Sequence, residues 1–171
     1  MLIAVLSDSH DRTDHLEYAI NQAKERGITT AFHLGDFCSP FVLEQLGQSG
    51  LTWYVVWGNN DGDKLRGTSM AAGQVDIVPD DYRELDLEGR KLFLTHYPQI
   101  GRIAALSAQY DAVFFGHNHQ ASQEIISQEG SSKKTLLANP GEIYGMRTGK
   151  PSFAIYNTED NSFEHVWFAR L

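Results

Sequence analysis

Five short apolar segments of the sequence are each followed directly by side chains of the kinds that bind metal ions. These side chains are carboxylates, imidazoles and one amide, namely Asp8, His10, Asp36, Asn59, His96, His117 and His119. A set rich in imidazole and without thiolate suits first-row ions such as Mn²⁺, Fe²⁺, Zn²⁺ or Co²⁺ rather than Ca²⁺ or a structural zinc. Seven ligands are too many for one open site and suit two ions that share a bridging carboxylate. Two ions about 3.5–4 Å apart can each bind a phosphoryl oxygen and hold a bridging hydroxide in line with a leaving group.

The start of the chain shows the arrangement most clearly. Residues 2–6 are a continuous apolar run, typical of a strand buried on both faces, and they are followed by Ser7-Asp8-Ser9-His10. Ligands bind at the carboxyl ends of strands in α/β sheets. Residues i and i+2 share a face if the backbone stays extended, so Asp8 and His10 could face one point. Read alone, the stretch could equally be a helix N-cap with an incidental histidine. The site is favoured because the pattern recurs after the apolar segments 30–34, 53–57, 91–95 and 112–115.

The elements between these strands predict how the first half is wound. Apolar residues at helical spacing from 16 to 23 predict an amphipathic helix that Gly27 ends. Ser39 before Pro40 predicts the N-cap and first turn of a second helix, to about residue 46. The resulting β-α-β-α-β order predicts parallel strands joined by right-handed crossovers.

The second half has more antiparallel character. We expect a loop with one helical turn at 61–72, a hairpin of strands 82–87 and 91–95, and a helix at 100–108. Further strands are expected at 123–127, 135–138, 153–156 and 163–168, with a loop at 128–134 and a tight turn at 139–141. The pattern as a whole predicts one domain over residues 1–171, with two mixed sheets packed together and helices outside.

Composition narrows the class of protein. The 171 residues are 42% apolar, which is enough for one well-buried core. The formal net charge of −8 argues against a broad nucleic-acid-binding surface. It does not exclude a phosphate substrate, because bound cations invert the charge around their ligands. With one cysteine, no basic leader and no apolar run near the roughly 20 residues of a membrane span, we expect a cytoplasmic protein without a membrane partner.

The motifs resemble those of a known family. Their order and approximate separations are similar to those of the calcineurin-like metallophosphoesterases, and most of all to the small single-domain phosphodiesterase branch. The matching motifs are Asp8-Ser9-His10, Gly35-Asp36, Gly58-Asn59-Asn60-Asp61, His96, Gly116-His117-Asn118-His119 and the turn Asn139-Pro140-Gly141. The resemblance covers nearly the whole chain and implies an α/β fold, a four-layer α-β-β-α sandwich of two mixed sheets flanked by helices.

The resemblance also implies how the ligands are divided between two ions. One ion would be held by Asp8, His10, Asp36 and His119. The other would be held by Asp36, Asn59, His96 and His117, so that Asp36 bridges the two. The implied activity is a phosphodiesterase with a dinuclear centre, in which a bridging hydroxide attacks phosphorus in line. Manganese is the first expectation for the cofactor, and zinc, iron, nickel or cobalt also fit the ligands.

Alternative functions stay open from the sequence. The protein could be a phosphomonoesterase or nucleotide phosphatase, or a catalytically silent scaffold of the same fold. In each enzymatic case the substrate would be a small phosphodiester or phosphate ester. The strand-rich second half could support a homodimer.

Two positions depart from the family pattern. Asn60 stands where many members have a histidine that serves as general acid, although the small branch often lacks it. An amide can donate a hydrogen bond to a phosphoryl oxygen but cannot deliver a proton near neutral pH. We therefore expect a preference for activated diesters. His96 is followed by Tyr97-Pro98 where the family commonly has Gly-His, so metal binding should survive while the substrate rim changes.

Further residues are candidates for roles around the ligands. Asp61 is expected to orient a ligand imidazole or a metal-bound water. Arg147 is the first candidate for clamping a phosphate, ahead of Arg12, Lys64 and Arg102.

The other histidines and the cysteine are not expected to be ligands. His33 should lie in the core, while His15 and His165 should be solvated. Cys38 is expected to be a small buried apolar side chain.

Overall fold

The computed structural model shows two β-sheets packed face to face, with helices on the outer faces. The structure describes residues 1–71, 73–128, 130 and 132–169. Within these residues it contains eleven strands and four helices, which in chain order are β1 (Leu2–Leu6), α1 (Thr13–Glu25), β2 (Thr30–His33), α2 (Pro40–Gln48), β3 (Thr52–Val55), α3 (Lys64–Met70), β4 (Val75–Ile77), β5 (Tyr82–Leu87), β6 (Arg90–Thr95), α4 (Pro98–Leu106), β7 (Ala112–Phe114), β8 (Ser122–Ser127), β9 (Lys134–Asn139), β10 (Ser152–Asn157) and β11 (Ser162–Trp167).

Both sheets are mixed. The six-stranded sheet has the order β11-β10-β1-β2-β3-β4, and the five-stranded sheet has the order β5-β6-β7-β9-β8. Strands β1 to β4 are parallel, and β10 and β11 add antiparallel pairs. In the second sheet β6, β7 and β9 are parallel, while β5 and β8 form antiparallel edges. The carboxyl ends of each parallel set therefore lie on one side of its sheet.

The hydrophobic core has three layers, which explains why the strands read as continuous apolar runs. In β1, Ile3 and Val5 pack between the sheets, whereas Ala4 and Leu6 pack under the helices on the other face. Successive side chains of a strand point to opposite faces, so both faces of this strand must be apolar. Helices α1 and α2 cover the first sheet, and α4 covers the second, where Ala105 packs on its strands. The predicted four-layer α-β-β-α sandwich is confirmed.

Local signals correctly predicted the end of α1 and the start of α2. The Ser39 hydroxyl accepts a hydrogen bond from the backbone of Phe41 and caps α2. Gly27 follows α1 with a φ of +72°, a conformation that glycine adopts readily, and its amide donates to the Lys24 carbonyl. Among the described residues no helix is long and apolar enough to cross a bilayer.

The segment after β3 differs from the prediction. Instead of a loop with one turn, α3 runs for seven residues from an Asp63 N-cap, and the three-residue strand β4 follows it. A strand of three residues is too short to show the alternation of apolar and polar side chains by which a strand is predicted. Helix α4 begins at Pro98, two residues before the predicted start, because proline suits the first turn. Residue 72 of the predicted loop at 61–72, and residues 129 and 131 of the one at 128–134, lie outside the described residues.

Candidate metal centre

The predicted ligands lie in two neighbouring clusters at the carboxyl ends of the strands. Within each cluster the ligand atoms all lie within 4.8 Å of one another. The first cluster is Asp8, His10 and His119, and the second cluster is Asp36, His96 and His117. They come from the loops after β1, β2, β6 and β7, so both sheets contribute.

Asp36 lies between the clusters. Its Oδ2 atom is 3.6 Å from His10 Nε2 and 3.4 Å from His96 Nε2. Within the first cluster, Asp8 Oδ1 is 3.5 Å from His119 Nε2 and 3.9 Å from His10 Nε2. One carboxylate oxygen of Asp36 therefore faces an imidazole of each cluster, which is the position that a bridging ligand needs.

Asn59 adds an oxygen to the second cluster. Its Oδ1 atom lies 3.1 Å from His96 Nε2 and 2.8 Å from His117 Nδ1, and the two ring nitrogens are 3.2 Å apart. All seven side chains predicted as ligands are thus brought together, and His117 faces Asn59 and His96 through its Nδ1 atom.

Two buried atoms of the first cluster have no hydrogen-bond partner among the described residues. Asp8 Oδ2 accepts from the Ser7 hydroxyl and the His117 amide, but Asp8 Oδ1 and His10 Nε2 are unpaired. Buried polar atoms normally have a partner because leaving them without one is costly. Burial also raises the pKa of Asp8 to about 6, so its charge is unfavourable unless a positive charge lies beside it. The unpaired atoms and the mixed imidazole, carboxylate and amide set fit divalent first-row cations.

The outward-facing nitrogens of three ligand imidazoles have partners. His96 Nδ1 lies 2.8 Å from the Leu34 carbonyl, and His119 Nδ1 lies 2.7 Å from Glu142 Oε2. Carbonyl and carboxylate oxygens only accept, so both Nδ1 atoms carry the hydrogen and both Nε2 atoms present lone pairs to the clusters.

The third outer partner is a sulfur atom. His10 Nδ1 lies 3.3 Å from Cys38 Sγ. Cys38 is half-buried, so the prediction of a purely apolar role missed this polar contact.

The backbone of the ligand loops is turned rather than extended. Five ligands have positive φ: Asp8 (52°), His10 (41°), Asp36 (56°), His117 (71°) and His119 (64°). The expectation that an extended backbone aims Asp8 and His10 together is therefore wrong, because left-handed residues turn the chain at both positions. Such conformations cost roughly 1–2 kcal/mol each for residues other than glycine. Glycine is required beside them, since a Cβ on Gly58 would overlap the Asp36 carboxylate.

Asp61 holds the backbone of the ligand loops. Its Oδ2 accepts from the amides of Asp36 (3.0 Å) and Gly58 (2.6 Å), and its Oδ1 accepts from the Cys38 amide (2.7 Å). The buried carboxylate thus contacts backbone N–H groups, whereas the sequence suggested an imidazole or a water as its partner. It fixes the loops that carry Asp36 and Asn59 relative to each other.

Asn60 contacts the bridging position directly. Its backbone amide donates to Asp36 Oδ1 (2.8 Å), and its side-chain amide donates to Asp36 Oδ2 (2.7 Å). Burial would raise the pKa of Asp36, but the contact with the His96 imidazole and the hydrogen bonds from Asn60 outweigh burial and lower it. The carboxylate is therefore held in its charged form.

Arg147 is exposed and acts electrostatically on the second cluster. Burial is the main cause of the lowered pKa of His117, and the charge of Arg147 lowers it further. The other clamp candidates have partners of their own: Arg12 pairs with Asp14, Arg102 pairs with Glu124, and Lys64 lies over an aromatic ring.

Each cluster has a half-buried tyrosine beside it. The ring centroid of Tyr144 is 5.2 Å from that of His10. The ring centroid of Tyr97 is 5.3 Å from that of His96 and 5.9 Å from that of His117. The two tyrosine rings therefore lie next to the candidate ligands of the two clusters.

The histidines predicted not to be ligands lie outside both clusters. His33 is fully buried, as expected. The expectation that His15 is solvated is wrong, because it is buried and its Nδ1 donates to a backbone carbonyl 2.8 Å away. His165 is half-buried and also donates to a carbonyl.

Sequence reasoning missed Glu142. The only local signal was an acidic residue directly after the turn Asn139-Pro140-Gly141. Glu142 is completely buried, which its residue type alone does not suggest.

Known proteins are similar to this chain over nearly its whole length. Residues 1–161 match the family model of the calcineurin-like phosphoesterase superfamily domain. The chain is 30% identical over 170 residues to phosphodiesterase MJ0936 of Methanocaldococcus jannaschii, covering 97% of this chain and 98% of that protein.

Solved structures show the same fold. The structure of an archaeal phosphodiesterase superposes with a TM-score of 0.87 at 28% identity, covering 98% of this chain and all of that one. Vacuolar protein sorting 29 from Cryptosporidium parvum superposes with a TM-score of 0.60 at 17% identity, covering 99% and 98% of the two chains. The latter likeness concerns the fold alone.

Proposed function

Because the chain belongs to the calcineurin-like phosphoesterase superfamily, we propose that it is a phosphodiesterase that depends on two divalent metal ions. The observation that carries the proposal is the position of Asp36 Oδ2 between two ligand clusters, one of which has a buried carboxylate oxygen and a ring nitrogen without partners. The identity to a protein named as a phosphodiesterase supports the same reaction class.

In this proposal each of the two ions has its own set of ligands, and Asp36 belongs to both sets. Asp8, His10, Asp36 and His119 would hold one ion, and Asp36, Asn59, His96 and His117 would hold the other. When bound, two such ions supply stabilisation of the phosphoryl oxygens and activation of a water for in-line attack on phosphorus. Manganese is the first candidate, followed by zinc, iron, nickel and cobalt.

Asn60 and Arg147 act on the substrate rather than on the ions. The Asn60 side chain is exposed beside the bridging carboxylate, where its N–H can also reach a phosphoryl oxygen. An amide donates no proton, so the leaving group must depart without a general acid at this position. Arg147 would neutralise the negative charge that remains on the phosphate.

A diester fits this site better than a monoester. The leaving group of an activated diester departs readily without a general acid, whereas an alkyl leaving group of a monoester needs one. Tyr144 stands beside the first cluster and Tyr97 beside the second, so each of the two ester substituents could contact one ring.

The test is hydrolysis of bis-p-nitrophenyl phosphate against p-nitrophenyl phosphate. Chelator-treated protein is titrated with Mn²⁺, Ni²⁺, Zn²⁺ and Mg²⁺, with Asp36→Asn as the inactive variant. Asp63→Asn is the matched control, because asparagine caps a helix as well as aspartate does and α3 should be unchanged.

Metal-dependent diester activity that Asp36→Asn abolishes would support the proposal. Faster turnover of the monoester would favour the phosphomonoesterase alternative. Protein that binds two ions per chain but hydrolyses neither ester would favour a scaffold, and protein that binds no ion would refute the site.

A further inference from the structure

Glu142 is a fully buried carboxylate whose two oxygens serve different groups. Oε2 lies 2.7 Å from His119 Nδ1. Oε1 accepts from the Thr148 amide (2.7 Å), the Thr148 hydroxyl (2.7 Å) and the Arg147 amide (3.2 Å). We infer that Glu142 is a positioning residue that fixes the tautomer of His119 and ties this ligand to the loop that carries Arg147. The inference rests on the proposed function, since it concerns the same site.

The first part of the inference concerns the ring of His119. This ring is buried and stacks on His10 at 5.1 Å with an angle of 15° between planes. Its Nε2 atom faces Asp8 Oδ1 at 3.5 Å. A carboxylate oxygen accepts only, so Glu142 keeps the hydrogen on Nδ1 and leaves the Nε2 lone pair toward the first cluster. A carboxylate in this place also makes the imidazole a stronger ligand.

The second part concerns the segment 142–148. Its beginning is bound to the loop after β1, because the Ile143 amide donates to the Ser7 carbonyl and the Tyr144 amide donates to the Asp8 carbonyl, both at 3.0 Å. Its end is fastened by the three donors on Glu142 Oε1. The backbone of Arg147 is therefore held through the same side chain that orients a metal ligand.

Glu142→Gln separates this role from simple packing. Glutamine has nearly the same shape but only one oxygen. If that oxygen stays with the donors of residues 147 and 148, the NH₂ group faces His119 Nδ1 and selects the tautomer with the hydrogen on Nε2. In that tautomer the lone pair is on Nδ1, so Nε2 has none to offer an ion in the first cluster. If the oxygen faces His119 instead, the NH₂ group opposes the Thr148 amide.

The primary experiment measures the tautomer without any metal. In chelator-treated protein with ¹⁵N-labelled histidine, long-range ¹H–¹⁵N correlation spectra distinguish Nδ1–H from Nε2–H rings, and His119 is identified by its absence in His119→Gln. We expect Nδ1–H in the native protein and a loss of this form in Glu142→Gln. An Nε2–H ring in the native protein would overturn the inference even if the variant did not fold.

The second experiment measures binding of Mn²⁺ by calorimetry. Changing the outer partner of a metal-binding histidine typically weakens affinity 10–100-fold. We expect a loss in this range for one of two ions in Glu142→Gln and no change for the other. Thr148→Val is the matched control, because it removes one donor to Oε1 and leaves the contact with His119, so the tautomer and both affinities should persist.

The outcomes distinguish this inference from the proposed function. An unchanged tautomer with two unchanged affinities in Glu142→Gln would overturn the inference and leave the proposed function standing. Native protein that binds none of Mn²⁺, Ni²⁺, Zn²⁺ and Mg²⁺ would refute the proposed function, and the metal-free spectra would still decide whether Glu142 fixes the ring.

Discussion

Replacing Asp61 with alanine should unfold the ligand loops before it affects the rest of the fold. The Asp61 carboxylate accepts three backbone N–H groups, from Asp36, Cys38 and Gly58. Asp36 and Gly58 are buried, so water cannot replace the lost acceptor of their amides. Cys38 is half-buried, so water can replace the acceptor of its amide only in part. Asp61→Ala removes all three acceptors at once.

The magnitude follows from these three donors. A buried donor left without a partner costs about 1–3 kcal/mol, so two buried amides and one half-buried amide at half that cost sum to about 2.5–7.5 kcal/mol. The loss is reduced because Asp61 is itself buried, and burial raises its pKa and thus penalises its charge in the native protein. We expect the free energy of unfolding to fall by about 3 kcal/mol, a large part of the 5–15 kcal/mol typical of a domain.

Urea unfolding of chelator-treated protein measures this change apart from metal binding. Asp63→Ala is the control, because Asp63 accepts one exposed amide at the start of α3 and should cost about 1 kcal/mol. Titration with Mn²⁺ should then show weaker binding in Asp61→Ala and native affinity in Asp63→Ala. An Asp61 variant within 1 kcal/mol of the control, with native Mn²⁺ affinity, would refute the reasoning.

Four further predictions follow from the geometry. Asn60→His should raise kcat/KM for diesters with alkyl leaving groups more than for nitrophenyl esters, because it restores a general acid worth up to about 10²–10⁴-fold; equal gains in steady-state assays would contradict this. Burial lowers the pKa of His33 to about 3, below the 6.5 expected when unfolded, so protonation opposes folding. As pH falls from 6.5 to about 3, urea unfolding should show the native protein losing about 1.4 kcal/mol per pH unit relative to His33→Asn, and parallel pH profiles would argue against it. Chelation should lower Tm in calorimetry, because ions that bind only the folded state stabilise it, and Asp36→Asn should abolish most of that shift. Gly58→Ala should reduce Mn²⁺ affinity in titrations, since its Cβ overlaps the Asp36 carboxylate, whereas Gly62→Ala, with no atom near its Cβ, should not.

Much of the fold, and the residues of the candidate site, could be predicted from the sequence because the signals are local. A strand buried on both faces must be apolar at every position, so the run before Asp8 predicts both the strand and its end. Ser39 marks a helix start through a bond two residues away. The types of the candidate ligands are also a local signal. Imidazole and carboxylate groups that are buried at strand ends lower the stability of the fold unless they have a partner.

The tertiary structure alone decided how these groups meet. Asp8 and His117 are 109 residues apart, yet the amide of one donates to the carboxylate of the other. The backbone turns at Asp8 and His10, the three amides on Asp61 and the burial of Glu142 have no signature in residue type or spacing. Each depends on where loops from two separate sheets come together, and that is set by the packing between the sheets, which involves the whole chain at once. The sequence by itself therefore determined which side chains are candidate metal ligands, and only the packed structure decided which groups hold those side chains in place.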